Sequence, residues 1–247
     1  MEENSRKCLS VLGVRWHPVD MERAVGSIRG FLRDPGFHLV VTLGTEMVMR
    51  AQEDGTFRQL VNEAELVVPD GIGLVWAARY CGYRGSKVAG IELVGQVIRQ
   101  VPEARLFLLG GAPGVAEEAA RQMAGANPAV QIVGVRDGFF KDDAEVIAQI
   151  KASGANVLLA GLGCPRQELW MRQHAEALGV QVGIGVGGTF DVFAGRLNRA
   201  PRWMIRLGLE WLYRLLLQPS RWMRMQALPR FALRVLLQGR RAVVSVP

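Results

Sequence analysis

The segment Leu106-Phe-Leu-Leu-Gly110-Gly111-Ala-Pro-Gly114-Val-Ala-Glu117 indicates the fold of this chain. Its pattern is that of an apolar strand, a glycine turn and the start of a helix. This is the unit of doubly wound α/β sheets, in which ligands bind beyond the carboxyl ends of the strands. Such a turn can bring backbone N–H groups and a helix N-terminus to a phosphate, although the segment lacks a full G-x-G-x-x-G pattern.

Short apolar runs alternate with helical patterns on both sides of this segment. The sequence therefore predicts an α/β fold with a Rossmann-like, mostly parallel sheet and helices on both faces. We expect a catalytic body over residues 1–195 and a C-terminal appendage over residues 196–247. Strands are predicted at residues 8–14, 38–43, 66–68, 105–109, 131–135, 156–160 and 182–185, and helices at residues 21–32, 71–80, 92–101, 113–124, 142–153 and 165–178.

The appendage is predicted to be helical. Its sequence is basic and rich in Arg and Trp. From residue 196 onward the chain has eleven Arg, no Lys and one acid, Glu210. The appendage thus carries a net charge of +10 in a chain whose total is +7, which leaves −3 on the body. Leucines beside the arginines are typical of an amphipathic element on an anionic membrane surface. The same apolar face fits packing on the body or on another subunit of a homo-oligomer.

Composition argues against several classes of protein. The polar, acidic N-terminus has no signal-peptide core, and no apolar run approaches the roughly 18 residues of a transmembrane helix. Three scattered Cys and three scattered His predict a cytoplasmic protein without a disulfide framework or a metal site. The basic residues of the appendage lie beside Leu and Trp rather than over a groove, which argues against nucleic-acid binding.

Candidate catalytic residues lie where predicted strands end. Asp70 closely follows the strand at 66–68, where it is either a helix N-cap or a general base in the cleft. Thr42 lies at the end of the preceding strand and could hydrogen-bond nearby. Gln167 and Glu168 lie at the start of a predicted helix, although Glu168 also fits a first-turn acid that the helix dipole favours.

Two further turns are candidates for nucleotide binding. The run Asp137-Gly-Phe-Phe140 places an aromatic ring beside a turn, suited to stacking on a base, although burial is the default for Phe. The run Gly183-Ile-Gly-Val-Gly-Gly188 matches G-x-G-x-x-G, but no acid follows about twenty residues later to bind a ribose. A nucleotide-dependent oxidoreductase is therefore an alternative that this motif does not support.

Taken in order, these segments resemble the WecG/TagA/CpsF family of bacterial glycosyltransferases, glycosyltransferase family 26. The resemblance covers roughly residues 38 to 225. The matching segments are V-T-L (41–43), P-D-G-I-G (69–73), K-V-A-G (87–90), G-G-A-P-G (110–114), G-L-G-C-P-R-Q-E (161–168), G-G-T-F-D (187–191), R-A-P (199–201) and G-L-E-W-L-Y-R (208–214), followed by Pro219, Arg221 and Arg224.

The resemblance implies an inverting, metal-independent transferase that needs no cofactor. It would move an N-acetylhexosamine, its uronic acid or a hexose from a UDP-sugar to a polyprenyl-diphosphate-linked glycan. The enzyme would be peripheral on the inner face of the cell membrane and serve cell-surface polysaccharide synthesis. Asp70 would be the general base that deprotonates the acceptor hydroxyl, and Thr42 and Gln167 match active-site positions.

The resemblance also implies a set of substrate-binding residues. Asp191 would contact the nucleotide ribose, and glycine and aromatic turns would frame the nucleotide. Arginines of the appendage would reach a diphosphate, for which Arg is the preferred bidentate partner. The implied set is Gly110, Gly111, Asp137, Phe140, Asp191, Lys87, Arg214, Arg221 and Arg224.

The chain departs from the family pattern at two positions. Where the family usually has T-x-N, this chain has Thr42-Leu-Gly44, so an Asn side chain is missing from the cleft. Where the family commonly has R-V-x-G-x-D, this chain begins with Lys87, which keeps the charge but loses the planar fork of Arg. Both departures leave the transferred sugar open. Gly44 also leaves a third interpretation, a membrane-associated assembly protein that keeps the fold without activity.

Overall fold

Apolar runs that lack an alternating pattern form the central sheet. The computed structural model describes residues 8–219 and 222–246 of the chain. Six parallel strands pair in the order β4-β3-β8-β7-β5-β6, and three antiparallel strands form a second sheet in the order β2-β1-β9. The strands are β1 (Cys8–Val11), β2 (Val14–Trp16), β3 (His38–Leu43), β4 (Leu66–Pro69), β5 (Arg105–Gly110), β6 (Gln131–Arg136), β7 (Val157–Gly161), β8 (Val182–Gly185) and β9 (Val243–Val246).

Helices cover both faces of the parallel sheet, as predicted, and the Rossmann-like α/β fold class is confirmed. The helices are α1 (Met21–Phe31), α2 (Thr45–Glu53), α3 (Gly55–Glu63), α4 (Ile72–Tyr80), α5 (Gly90–Gln100), α6 (Val115–Ala126), α7 (Asp143–Ala152), α8 (Arg166–Gln173), α9 (Ala175–Leu178), α10 (Thr189–Phe193), α11 (Arg202–Arg206), α12 (Glu210–Leu217), α13 (Trp222–Met225) and α14 (Ala227–Gln238), followed by a 3₁₀ turn at Gly239–Ala242.

Strand β3 shows why the runs are apolar at nearly every position. Leu39, Val41 and Leu43 pack into the core with α2, α3 and α8, whereas Val40 packs into the opposite core with α1, α5 and α6. Successive side chains of a strand point to opposite faces, so a sheet covered on both sides needs apolar residues at both sets of positions. The polar exceptions are His38, which begins the strand, and Thr42, which lies near its carboxyl end.

Two local features of the first seventy residues differ from the sequence prediction. The predicted strand at 8–14 is a hairpin, because the chain turns at Leu12 and Gly13, which both have positive φ. Such a pair is typical of a two-residue turn between antiparallel strands. Helices α2 and α3 fill the connection between β3 and β4, where no helix was predicted.

The C-terminal segment divides into two parts. Helix α14 buries Phe231 and Val235 in the body core, and β9 pairs antiparallel with β1. Strand β9 lies in a segment predicted to be helical; its sequence V-V-S-V is rich in β-branched residues, which favour strands. By contrast, α12 and α13 bury no residue. Within the described residues, no helix is both long enough and apolar enough to cross a membrane.

Glycine is required at the carboxyl end of β5. Gly110 has φ +140°, and a Cβ placed on it would overlap the backbone carbonyl of Gly161. We therefore expect Gly110→Ala to lower the free energy of unfolding by about 3 kcal/mol, the upper end of the usual cost of such backbone strain. Urea unfolding would measure the loss.

The matched control is Gly26→Ala, in the exposed interior of α1, where a Cβ meets nothing within 4 Å. This change is expected to raise the free energy of unfolding by up to about 1 kcal/mol, because Ala favours helix over Gly. If Gly110→Ala unfolds at the wild-type urea concentration, the close approach to Gly161 does not constrain the fold.

Candidate active site

A cavity of about 310 Å³ lies at the carboxyl ends of four neighbouring strands, β4, β3, β8 and β7. This is the edge of the sheet at which α/β proteins bind ligands. Residues from the strand ends line its base, and residues of α12, α13 and α14 line it from the C-terminal segment. The predicted site residues that line this cavity are Thr42, Asp70, Lys87, Gln167, Arg214 and Arg224.

Asp70 is held by backbone groups on two sides. Its N–H donates to the carbonyl of Leu43 at the end of β3 (3.0 Å), and its Oδ1 accepts from the N–H of Gly90 (2.9 Å). Helix α4 begins after Gly71 without a side-chain cap, so Asp70 is not the N-cap of that helix. Its carboxylate instead binds the first N–H of α5, where the helix dipole favours negative charge.

The environment of Asp70 favours a carboxyl group of raised pKa. Burial raises the pKa of Asp70, and Glu210 adds to the increase. The hydrogen bond from Gly90 and the charges of Lys87 and Arg214 act in the opposite direction without cancelling the effect of burial. A carboxylate with a raised pKa is a stronger base, which suits it to accept a proton near neutral pH.

Thr42 and Gln167 connect the loops that form the cavity. The Thr42 hydroxyl donates to the carbonyl of Gly185 in β8 (2.8 Å). The Oε1 of Gln167 accepts from the N–H groups of Gly163 (3.2 Å) and Gly187 (3.1 Å), which follow β7 and β8. Its Nε2 donates to Glu168 (2.6 Å). Both side chains therefore hold strand ends in register, and their assignment as catalytic residues stays a prediction.

A cluster of charged groups closes the cavity on the side of α12. Glu210 accepts hydrogen bonds from Lys87 Nζ (2.9 Å) and from Arg214 (3.3 Å), and Arg199 also bonds to Glu92 of α5. Burial acts to raise the pKa of Glu210, but the hydrogen bond from Lys87 and the nearby positive charges lower it overall. Glu210 is consequently a carboxylate at neutral pH, although its side chain is only 14% exposed.

Five predicted substrate-binding residues lie outside the lining of the cavity. Four of them lie near the carboxyl ends of β5 and β6, and Asp191 lies in α10. A further predicted residue, Arg221, lies outside the described residues. The N–H of Gly111 already donates to Gly161 (3.2 Å), and Asp137 accepts from the N–H of Phe139 (2.8 Å). The five are Gly110, Gly111, Asp137, Phe140 and Asp191.

Phe140 is engaged in packing. Its ring forms an edge-to-face pair with that of Trp170, with 5.7 Å between the centroids, and the guanidinium of Arg166 lies 5.0 Å from its centre. The neighbouring Phe139 is 76% exposed. Of the two aromatic residues in this turn, Phe139 is therefore the one with a free face for stacking.

Two acids that line the cavity were not among the predicted site residues, namely Glu46 and Glu210. Glu46 lies in the first turn of α2, a helix that the sequence pattern had not revealed. Glu210 had a sequence signal, because it is the single acid among eleven arginines of the appendage. Both acids bring negative charge to a cavity that also contains Lys87 and Arg214.

The fold and the cavity define a Rossmann-like enzyme with a partly buried carboxylate and several cations at the carboxyl edge of a parallel sheet. The model of the family described as "Glycosyl transferase WecG/TagA/CpsF family" matches residues 9–244. The chain belongs to this family, as predicted from its motifs, and is a glycosyltransferase. The comparisons give no support to the oxidoreductase alternative.

Two curated relatives carry the same descriptive name, N-acetylglucosaminyldiphosphoundecaprenol N-acetyl-beta-D-mannosaminyltransferase. The relative from Bacillus subtilis (strain 168) is 33% identical over 212 residues, which cover 85% of this chain and 83% of the relative. The relative from Bacillus spizizenii (strain W23) is 34% identical over 204 residues, which cover 81% of this chain and 79% of the relative.

Glu168 makes the stability of the fold depend on pH. Its side chain is fully buried, its Oε1 accepts from Gln167, and its Oε2 has no partner among the described residues. Burial raises its pKa from 4.5 to about 7. The folded state therefore holds a proton that the unfolded state has lost, so stability falls as pH rises from about 4.5 through 7.

We expect Glu168→Gln to remove this dependence. Relative to the variant, the wild type should lose up to about 3 kcal/mol of unfolding free energy between pH 4.5 and pH 8. Urea unfolding of both proteins at four pH values across this window measures the difference. A gap between wild type and variant that stays constant with pH would show that Glu168 ionises normally in the fold.

Proposed function

We propose that this protein is an inverting glycosyltransferase that moves a sugar from a UDP-sugar to a hydroxyl of a polyprenyl-diphosphate-linked glycan. The observation that carries the proposal is the partly buried Asp70 carboxylate of raised pKa, which shares one cavity with Lys87 and Arg214. Two relatives named for N-acetylmannosaminyl transfer to N-acetylglucosaminyldiphosphoundecaprenol support the same acceptor class. Synthesis of a cell-surface polysaccharide is the process such a reaction would serve.

In the proposed reaction, Asp70 removes the proton of the acceptor hydroxyl while its oxygen attacks the anomeric carbon. The bond between that carbon and the diphosphate oxygen breaks, and the electron pair leaves with UDP. Lys87, Arg214 and Arg224 would stabilise the charge that develops on the leaving diphosphate, as cations at such sites do. The three cations supply this stabilisation from side chains of the protein, in keeping with the proposed metal-independent mechanism.

The nucleotide is proposed to extend from the cavity toward the β5 and β6 ends of the sheet. The glycine turn after β5 and the turn after β6 contact each other there, since the N–H of Gly138 donates to the carbonyl of Gly111 (2.9 Å). The resemblance assigns these turns and Asp191 to the nucleotide. Phe139 is the exposed aromatic on this path and is a further candidate for stacking on the base.

We also propose that the enzyme is peripheral on the inner face of the cell membrane, where a polyprenyl-linked acceptor is anchored. Supporting this, Trp203 and Leu207 of the α11 region are 59% and 68% exposed, and Trp222 and Met223 of α13 are exposed as well. Large exposed apolar side chains beside arginines fit an interface of lipid chains and phosphates. Burial of the same side chains in a homo-oligomer is the alternative that the test below separates.

The substitution Asp70→Asn tests the reaction. It keeps the size of the side chain and the acceptor for the Gly90 N–H but cannot take a proton, so turnover should fall about a hundredfold or more. UDP release is measured with a panel of UDP-sugars and a lipid-diphosphate-linked amino-sugar acceptor, and UDP binding should be unchanged.

The matched control for that assay is Asp34→Asn, an exposed acid near the opposite end of β3, which should keep wild-type turnover. Wild-type turnover in Asp70→Asn would exclude Asp70 as the base. If the folded wild type released no UDP with any donor in the presence of acceptor, the proposed reaction would be wrong.

The double substitution Trp203→Ser with Leu207→Ser tests the membrane contact. Deleting the whole appendage would also remove Phe231 and β9 from the core, so surface substitutions are the sharper test. We expect the variant to lose about tenfold or more in affinity for phosphatidylglycerol vesicles, since two large apolar side chains leave the interface. Sedimentation with vesicles gives the bound fraction.

Phe139→Ser is the control for the vesicle assay, because Phe139 is a large exposed side chain in the turn after β6 and not in the C-terminal segment. It should bind vesicles as the wild type does. If the double variant also binds as the wild type does but changes its mass in light scattering, these side chains belong to a contact between subunits.

A further inference from the structure

Glu210 lies at the centre of the cations that line one side of the cavity. Its carboxylate accepts from Lys87 and Arg214 at 2.9 and 3.3 Å, and the Nε of Arg199 lies 3.9 Å from it. These cations come from three separate segments, namely the loop before α5, the loop after α10, and α12 itself. One carboxylate is thus the common partner of three positive charges.

The hydrogen-bond donors of these cations can bind only a limited number of anions at one time. Lys87 and Arg214 both line the cavity, as does Glu210. The groups that bind Glu210, an ammonium and a guanidinium, are those that bind phosphate oxygens in other proteins. A diphosphate that enters the cavity and uses Lys87 and Arg214 must therefore compete with the Glu210 carboxylate for them.

The ion pair also links α12 to the body of the protein. Lys87 precedes α5 in the body, whereas Glu210 is the first residue of α12, a helix that buries no residue of its own. No side chain of α12 is fully buried, and Leu212, Tyr213 and Leu215 are only partly buried. The charged hydrogen bond between Lys87 and Glu210, two mostly buried side chains, therefore contributes substantially to the docking of α12. The hydrogen bond to Glu210 thus positions the Arg214 guanidinium and also uses one of its donors.

We propose that Glu210 is a positioning residue. Before substrate binds, its carboxylate bonds to the cations that later bind the substrate diphosphate. It gathers Lys87, Arg214 and Arg199 at the cavity, and Lys87 and Arg214 exchange its carboxylate for phosphate oxygens when a diphosphate enters. Glu210 thereby keeps the cations arranged for binding while it weakens the binding of diphosphates, including the product. This inference rests on the proposed function, in which the ligand of these cations is a diphosphate.

The test is the direction in which Glu210→Gln changes the affinity for two probes, UDP and inorganic pyrophosphate. Gln keeps the size and an acceptor oxygen but removes the charge that competes with the ligand. Both probes should bind about tenfold more tightly to the variant, the effect of one charged hydrogen bond. Titration calorimetry at constant ionic strength measures the affinities. A residue that only holds the structure together would give the opposite sign or no change.

Two companion variants sharpen the test. Lys87→Met removes one of the shared cations and should weaken pyrophosphate binding about tenfold. Glu65→Gln is the matched control, because Glu65 also pairs with an arginine, Arg172 (3.1 Å), but belongs to no part of this cluster and does not line the cavity, and it should leave both affinities unchanged. If Glu210→Gln fails to fold, Glu210→Asp serves instead, since its shorter side chain keeps the charge but reaches Lys87 less well and should also bind pyrophosphate more tightly.

The outcomes separate this inference from the proposed function. Unchanged or weaker pyrophosphate binding by a folded Glu210 variant overturns the inference, even if the wild type transfers sugar. Tighter pyrophosphate binding by the variant supports it, even if UDP fails to bind and the proposed donor is wrong. If Lys87→Met binds pyrophosphate as the wild type does, Lys87 is not part of the diphosphate site and the proposed exchange is overturned.

Discussion

The hydrogen bond from the Gly90 N–H to the Asp70 carboxylate is the contact on which the cavity depends. A carboxylate that is removed from water needs donors or nearby cations. Gly90 supplies the donor from the start of α5, and Lys87, three residues earlier, supplies a positive charge. The loop between α4 and α5 therefore stabilises Asp70 and forms one wall of the site. Burial still prevails, which leaves a carboxyl group suited to exchange a proton.

Much of the fold was predictable because its strands are buried on both faces. Continuous apolar runs such as His38–Leu43 identify such strands locally, without knowledge of their neighbours. The failures arise where the structure depends on distant partners or on short turns. Strand β9 pairs with β1, more than two hundred residues earlier, and its local sequence does not indicate which strand it pairs with. The sequence pattern predicts one strand where the hairpin at Leu12 and Gly13 lies, because its turn has only two residues.

The site shows the same division between local and distant information. Strand ends point to one edge of a parallel sheet, so Asp70 and Thr42 could be placed there from sequence alone. The pair of Lys87 and Glu210 spans more than a hundred residues, and only the folded chain shows that the one acid of the appendage meets a cation of the body. The sequence alone also does not show that Phe140 packs on Trp170 while Phe139 stays exposed. Two neighbouring Phe residues in a turn have the same chemistry, so only their tertiary contacts distinguish them.

The C-terminal segment combines two physical roles that require different composition. Phe231 and Val235 fix α14 in the core, so the chain on either side of it is anchored. The preceding short helices fully bury only Met204 and present Arg214 and Arg224 to the cavity, beside large apolar side chains that face outward. Charged hydrogen bonds, which a competing anion can exchange, hold α12 together with its partly buried Leu212, Tyr213 and Leu215. Helices held in this way can meet an anionic ligand at the cavity and an apolar surface outside it without unfolding the core.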